Sequence, residues 1–341
     1  MARGFRCLTD DGKVVECGRC FGAPVYDRED CQRPGANQSP PIIPVDSPSA
    51  GLPERQQMGL VRTLIDCDEE YAESALPQEL RELYDGDLHF RTSPATRPFV
   101  IANFVSTLDG VVSYEIKGKS GGSTISGSDP ADRFIMGLLR ASADAVIVGA
   151  GTLHDVSANS LWTPEYVCPD AKHLYAEYRA NALHKPEYPL LVIVSGSGQL
   201  ELQRAIFRTP AMRTVVITTS AGRDELTRQG AATLSSIEIH ALNSSDGSIA
   251  PRAILQLLQS QYGVSTLLHE GGPTLFGEFL AAEAIDELFL TLSPQIAGRK
   301  GDATRPAVVE GMEFVPESAP WFQMVSVKER VAYLYLRYRR T

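Results

Sequence analysis

The residues best suited to chemistry form one short run, His269-Glu270-Gly271-Gly272-Pro273-Thr274-Leu275. The run before it, Val264-Ser265-Thr266-Leu267-Leu268, is apolar and β-branched, the pattern of a buried strand. After it, Leu275 to Ala282 has helical apolar spacing. Adjacent glycines let a ligand approach the backbone closely. Pro273 suits the first turn of a helix, where its missing N–H is no loss. Free N–H groups at a helix start attract phosphate. Glu270 then stands at the C-terminal end of a strand, at the mouth of the same crevice.

Three other loops have similar chemistry. Ser106-Thr107-Leu108-Asp109-Gly110 follows the apolar run 99–105, Gly149-Ala150-Gly151-Thr152 follows 144–148, and Ser195-Gly196-Ser197-Gly198 follows 190–194. The second begins like a dinucleotide fingerprint, but His154 stands where the third glycine belongs. A glycine turn ending in Thr152 still suits a phosphate, through backbone N–H groups and a hydroxyl. Gly118-Lys119-Ser120 looks like the end of a Walker loop, but Ser113 occupies the position of its first glycine, which excludes that reading.

The elements that must position these loops alternate. Strands are predicted at 99–105, 144–148, 190–194, 214–218, 236–240, 264–268 and 286–292. Helices are predicted at 77–84, 133–143, 171–183, 200–206, after Gly222, at 251–262 and at 275–282. Asp129-Pro130 supplies a cap and a first helical residue for the second helix. Residues 322–327 and 331–338 form a terminal hairpin through 328–330. The fold class is therefore α/β: a mostly parallel sheet covered on both faces, with the hairpin adding antiparallel strands at one edge. In such sheets ligands lie beyond the C-terminal strand ends, and all four loops fall there. Repeated glycines and hydroxyls imply a phosphate-bearing ligand.

Composition bounds the rest. The net charge is −10, which argues against nucleic acid and anionic membrane surfaces as partners. No apolar run is long enough to span a bilayer, and the N-terminus lacks the apolar core of a signal peptide. The expected location is cytoplasmic. Residues 1–59, with Pro34, Pro40, Pro41, Pro44, Pro48 and Pro53, are read as a disordered extension, and 60–341 as the folded domain. Cys7, Cys17, Cys20 and Cys31 include one Cys-x-x-Cys and have the ligands for a structural zinc, but no second such pair is present, so unstructured thiols are expected ahead of zinc and no metal is assigned.

Together the motifs resemble a known family. Asn103-x-x-x-Thr107-Leu108-Asp109-Gly110, Leu138-Leu139-Arg140-Ala141, Ala145 to Thr152 and Glu270 to Leu275 look like the reductase domain of bacterial riboflavin biosynthesis. Asp286-Glu287-Leu288 and Pro294-Gln295-Ile296-Ala297-Gly298 continue the match over about residues 60–341. The resemblance implies a dihydrofolate-reductase-like fold and NADPH as cofactor. It implies reduction of the ribosyl group of a riboflavin-precursor pyrimidine phosphate, with hydride passing to ribose C1. It also implies a homodimer.

Roles carried over by resemblance are these. Gly271, Gly272, Pro273, Thr274, Leu275 and Gly277 match the cofactor turn and helix start. Thr152 and Ser195 match cofactor contacts, and Val105-Ser106 border the nicotinamide. Asn103, Arg140 and Glu270 match substrate contacts, with Arg140 suited to the substrate phosphate. Glu270 and Asp109 are the catalytic candidates. Read from the residues alone, Asp109 equally shapes a turn before Gly110, Arg140 equally sits on a solvated helix face, and Thr152 and Ser195 equally cap strand ends. The proton donor is left between Glu270 and a bound water. The family follows its Gly-x-x-Thr with an Asp-Asp-Pro type segment, whereas this chain has Leu153 to Leu161, with Asp155 the one counterpart. The His-x-Glu and Pro-Cys-x-x-Cys pattern of the zinc deaminase is missing, so deaminase activity is not expected. Two alternatives remain: a reductase of the same fold acting on a pterin or another carbonyl or imine, and a non-catalytic nucleotide-binding protein.

Overall fold

The computed structural model describes residues 5–8, 14–17, 59–68, 74–92, 96–116, 118–231, 234, 236–242, 248–301 and 305–341. The chain divides into two units, 1–48 and 49–341. In the first, β1 (Phe5–Leu8) pairs antiparallel with β2 (Val14–Cys17). Cys20, Cys31 and the proline-rich residues 34–53 lie outside the described residues, and only the backbone of Cys7 and Cys17 is described.

The second unit is built on one ten-stranded sheet. Its strands are β3 (Arg62–Asp66), β4 (Phe99–Ser106), β5 (Ala145–Gly149), β6 (Leu190–Ser195), β7 (Thr214–Thr218), β8 (Ile237–Ala241), β9 (Thr266–His269), β10 (Glu287–Leu292), β11 (Phe322–Arg330) and β12 (Tyr333–Arg340). Their spatial order is β3-β11-β12-β10-β4-β9-β5-β6-β7-β8. From β10 to β8 every pairing is parallel, whereas β12, β11 and β3 continue the sheet antiparallel. The expected mostly parallel sheet is present.

The hairpin is not the edge. β3 pairs outside β11 and takes that place. A five-residue strand without apolar–polar alternation, with Leu64 and Ile65 exposed, hid in the sequence.

The helices are α1 (Gln78–Tyr84), α2 (Gly122–Ile125), α3 (Pro130–Ser142), α4 (Ala150–Asp155), α5 (Pro164–Val167), α6 (Lys172–Glu177), α7 (Ser220–Arg228), α8 (Pro251–Tyr262) and α9 (Pro273–Ala281). The parallel strands are apolar on both faces, as a doubly covered sheet requires. On one face Val146 and Val148 pack with Phe134 and Leu138 of α3 and Tyr175 of α6. On the other, Ala145 and Ile147 share a core with Ile254 of α8 and Phe276 and Phe279 of α9. α3 begins as its sequence dictates: the Asp129 carboxylate accepts from the N–H groups of Ala131 and Asp132, and Pro130 opens the first turn.

Two helical expectations change. Residues 200–206 hold only a 3-10 turn, Ala205–Phe207, because Arg204 turns inward and donates to the carbonyls of Val156 and Ser157. Residues 171–183 break into a 3-10 turn, α6 and a π turn, Tyr178–Ala182. That turn brings buried Arg179 against the C-terminal carbonyls of α3, where it donates to Ala141 and Ala143 at 2.8 Å.

The antiparallel half is held by charge. Glu287, fully buried on β10, accepts from Arg337 and Arg339 of β12, both at 2.8 Å. The same arginines reach Asp68, just past β3, at 2.7 and 2.9 Å. Removing one carboxylate leaves buried guanidinium groups uncompensated, which costs about 3–5 kcal/mol. Glu287→Ala is therefore expected to lower the unfolding free energy by about that amount, and a urea titration checks it. A loss below about 1 kcal/mol would show that Asp68 alone suffices.

Candidate active site

The four ligand-suited loops leave β4, β9, β5 and β6, which are consecutive neighbours in the sheet, and all four leave at C-terminal ends. Between β9 and β5 the turns meet. The Thr152 hydroxyl lies 3.2 Å from where a Cβ on Gly272 would stand, so Gly271-Gly272 and Thr152 form one surface. Gly151 has open space over its Cα. Gly272 precedes α9 in extended conformation, Pro273 occupies its first turn, and no side chain caps the early α9 N–H groups. A nicotinamide dinucleotide fits such a surface by the chemistry of its phosphates.

Neighbouring residues of this run have other duties. Leu275 is buried against Gly271 and Gly149. Gly277 is buried as well, since a Cβ there would meet the Glu310 carbonyl at 2.8 Å. It is a packing glycine under residues 309–312 and has no surface to offer a cofactor. His269 is fully buried between the rings of Phe276 and Phe279, and its Nδ1 accepts from the Gly271 N–H. Burial pulls its imidazole down to about 4, so it stays neutral and shapes the turn. Ser195 is also buried. Its Oγ accepts from the Gly198 N–H at 3.1 Å, which leaves Ser197 as the exposed hydroxyl of that loop. His154 and Asp155 are exposed on α4, where His154 lies 3.2 Å from Glu201.

Arg140 and Glu270 meet. Nε of Arg140 donates to both oxygens of Glu270 at 2.9 and 3.1 Å, and Nη2 donates to Oε2 at 2.7 Å. Its Nη1 donates to the carbonyls of Leu161 and Thr163, both at 3.2 Å. The two side chains are 6% and 8% exposed. Arg140 rises from the last turns of α3 beneath the 156–163 loop, and its donors are spent inside the protein. In this arrangement it fixes Glu270 and the loop; it does not present a free fork to a phosphate.

Asp109 also differs from its expected catalytic part. Its carboxylate accepts from the Thr107 hydroxyl at 2.6 Å and from the N–H groups of Ala297 and Gly298 at 3.0 and 2.7 Å. The Thr107 hydroxyl first, then these N–H groups, draw its pKa down to about 2. Its carboxylate clamps the loop after β4 to the loop after β10. The turn reading of Asp109 fits this geometry, with Gly110 at φ +79° completing the bend. Val105 and Ser106 are buried at the end of β4, and Gly122 of α2 lies against Val105. Asn103 lies lower on β4 and lines a water-sized cavity of about 10 Å³ with Thr291, Ser326, Lys328 and Tyr335.

One residue was missed. Asp132, in the first turn of α3, is 5% exposed and has no cationic partner among the described residues. Burial raises its carboxyl to about 6; the Thr291 hydroxyl opposes the rise, and Asp129 and Glu270 add to it. In the sequence it looks like an ordinary acidic first-turn residue, which favours the helix dipole. Only the arrival of β10 over it reveals the burial.

A family model described as the RibD C-terminal domain matches residues 98–321. Among curated proteins, the 2,5-diamino-6-ribosylamino-4(3H)-pyrimidinone 5′-phosphate reductase of Archaeoglobus fulgidus is 27% identical over 219 residues, 64% of this chain and 89% of that one. The riboflavin biosynthesis protein RibD of Chlamydia trachomatis is 26% identical over 204 residues, 60% of this chain and 48% of that one. Among solved structures, a pyrimidine reductase-like protein of Corynebacterium diphtheriae superposes with a TM-score of 0.54 at 19% identity, covering 72% of this chain and 92% of that one. RibD of Acinetobacter baumannii superposes with a TM-score of 0.51 at 21% identity, and the chain spans 59% of it. The fold is dihydrofolate-reductase-like.

The buried pair sets a measurable coupling. Arg140→Ala and Glu270→Ala each strand a buried charge and are expected to cost about 3 kcal/mol or more. The double variant should cost clearly less than the sum, with a coupling of about 2 kcal/mol in a double-mutant cycle of urea midpoints. Additive losses would contradict the pairing.

Proposed function

The chain belongs to the RibD C-terminal domain family, and we propose that it reduces the ribosyl group of a ribosylaminopyrimidine phosphate to a ribityl chain, using NADPH. The observation that carries this reading is the joint surface of Thr152 and Gly271-Gly272 at the C-terminal ends of β5 and β9, inside the matched region. NADPH supplies the hydride; the protein supplies alignment and exclusion of water.

The roles divide along the sheet. Gly271, Gly272, Pro273 and Thr274 offer backbone and helix start to the cofactor's phosphates, with Thr152 beside them and Ser195 shaping the next loop. Val105-Ser106 border the nicotinamide. Glu270, oriented by Arg140, meets the substrate from the floor of the site, and Asp109 keeps the rim closed through residues 297–298. Asn103 supports this floor from below through its cavity. The Archaeoglobus relative carries in its name a pyrimidinone with a 2-amino group, whereas the riboflavin-type reductase that the motifs resemble takes the 2-oxo, uracil form. The two differ at one exocyclic atom, so both are substrates to assay.

Assembly as a homodimer is part of the proposal. Its support is β3, which carries the exposed Leu64 and Ile65 at the sheet edge, and Trp321, 75% exposed before β11. A cytoplasmic location accords with the reading, and no described helix is long and apolar enough to cross a membrane.

Loss of reduced-nicotinamide absorbance, measured with each pyrimidine in turn, tests the function. Turnover of at least one is expected. In Gly272→Val, the side chain crowds the Thr152 hydroxyl. KM for NADPH should rise tenfold or more, with a smaller change in KM for the pyrimidine. Turnover of dihydropterins alone, or binding of NADPH without oxidation, would overturn the substrate assignment.

A further inference from the structure

The proposed substrate carries a phosphate, and Arg140 has its donors spent on Glu270, Leu161 and Thr163. Other arginines of this half of the sheet are neutralised as well. Arg330 pairs with Asp129 at 2.8 Å, and Arg337 and Arg339 share Glu287 and Asp68. Arg299 and Arg305 differ. Among the described residues, each donates to backbone carbonyls and to no carboxylate. In a chain of net charge −10, the run 299–305 carries Arg299, Lys300 and Arg305 against Asp302 alone.

Contacts hold both guanidinium groups at the ligand edge of the sheet. Arg299 donates to the carbonyls of Asp109 and Gly110, in the loop after β4, at 3.3 and 3.4 Å. Its Nε donates to the Arg305 carbonyl at 3.0 Å. Arg305 donates from Nη1 to the carbonyls of Ala297 and Gly298, in the loop after β10. Its guanidinium lies 5.0 Å from the centre of the Tyr114 ring. Tyr114 donates to Gln295 at 2.7 Å, and Gln295 donates to the carbonyls of Thr124 and Ile125 in α2. The Nε and Nη2 donors of Arg305 have no hydrogen-bond partner among the described residues. The two loops are joined where they leave the sheet: the Ser293 N–H donates to the Ser106 carbonyl, and the Leu108 N–H to the Gln295 carbonyl, both at 2.9 Å. This rim therefore begins where the residues assigned to the nicotinamide border end.

We propose that Arg305, supported by Arg299, takes the phosphate of the substrate. This rests on the function proposed above. β9, β4 and β10 are consecutive in the sheet. Glu270 follows β9, Val105-Ser106 end β4, and the arginine rim follows β10. Neighbouring strands stand about 5 Å apart, so the outer two of these strand ends are about 10 Å apart. A ribosylaminopyrimidine phosphate has its base on one side of C1′ and its phosphate one pentose away on the other, a span of that order. With the base at Glu270 and C1′ over the nicotinamide border, the phosphate reaches the rim after β10. A planar guanidinium fork matches two phosphate oxygens, and stacking on Tyr114 fixes its plane. The carbonyls that hold Arg299 and Arg305 orient them without cancelling their charge. Asp109, the anion in the same corner, is already engaged by the Thr107 hydroxyl and two N–H groups.

The test compares the pyrimidine phosphate with its dephosphorylated riboside in wild type, Arg305→Gln, Arg305→Lys and Arg299→Gln. Arg305→Gln should raise KM for the phosphate ester about 10–100-fold and leave KM for NADPH unchanged. The riboside, a weak substrate already, should be indifferent to the substitution. Arg305→Lys should recover only part of the loss, because an ammonium offers no planar fork. Arg299→Gln should act in the same direction as Arg305→Gln, and more weakly. A second readout needs no turnover: calorimetry with ribose 5-phosphate should show binding to wild type and a loss of about tenfold or more in Arg305→Gln, with ribose itself not bound. Equal effects of Arg305→Gln on ester and riboside, or none on either, would overturn the assignment and leave the reductase intact. A wild type that turns over no pyrimidine would remove the reductase reading. Ribose 5-phosphate binding that depends on Arg305 would then still support the anion site, and binding indifferent to Arg305 would overturn it.

Discussion

The site depends on one buried ion pair. Arg140 reaches up from the last turns of α3 and ties the end of β9, through Glu270, to the carbonyls of Leu161 and Thr163. Burying two charges costs several kcal/mol each, and only near-complete hydrogen bonding offsets it. Arg140 meets that condition by donating to a carboxylate and two carbonyls. Its own helix end is held in turn, because Arg179 donates to the α3 carbonyls and Lys185 lies 2.9 Å from Asp144 just beyond them. Cations at a helix C-terminus favour the dipole. The precision of Glu270 at the mouth therefore originates in the packing around the C-terminus of α3.

Four carboxyls stand near one mouth, and their surroundings drive them into different states. Hydrogen-bond donors hold Asp109 ionised down to about 2, an arginine claims Glu270, a tyrosine and an arginine claim Asp129, and burial without a cation lifts Asp132 to about 6. Hydrogen bonding to the charged form and desolvation thus act in opposite directions on chemically similar groups. Asp109, Glu270 and Asp129 hold loops and a helix start through these partners, whereas burial makes the ionised form of Asp132 costly to the fold.

Loops on strand ends were legible because their signal is local. Glycine and hydroxyl residues follow apolar runs at all four positions, and the sheet order sets those runs side by side. α3 was legible from Asp129-Pro130, and α8 from Pro251 onward. Partners were not legible. Nothing in Leu138-Leu139-Arg140 says that the guanidinium turns toward Glu270, 130 residues away. Gly277 looks like a continuation of the cofactor turn, yet it is spent on residues 309–312. The 200–206 helix failed because Arg204 is more valuable inside, holding the 156–157 carbonyls, than on a helix surface.

The two halves of the sheet solve register differently. In the parallel half, Val, Ile and Leu fill both faces, and a slip would merely exchange apolar for apolar, so the crossover helices must set the register. In the antiparallel half, one face of β10, β11 and β12 carries Glu287, Thr291, Ser326, Lys328, Arg337 and Arg339 among apolar neighbours. A slip by one residue there would strand every one of these groups. Lys328, lowered to about 8 by burial with Asp66 and Asp85 opposing, still finds Thr63 at 2.6 Å and the Asp85 carbonyl at 2.9 Å. Polar pairing thus selects where β3 lies, a position its own exposed side chains cannot specify.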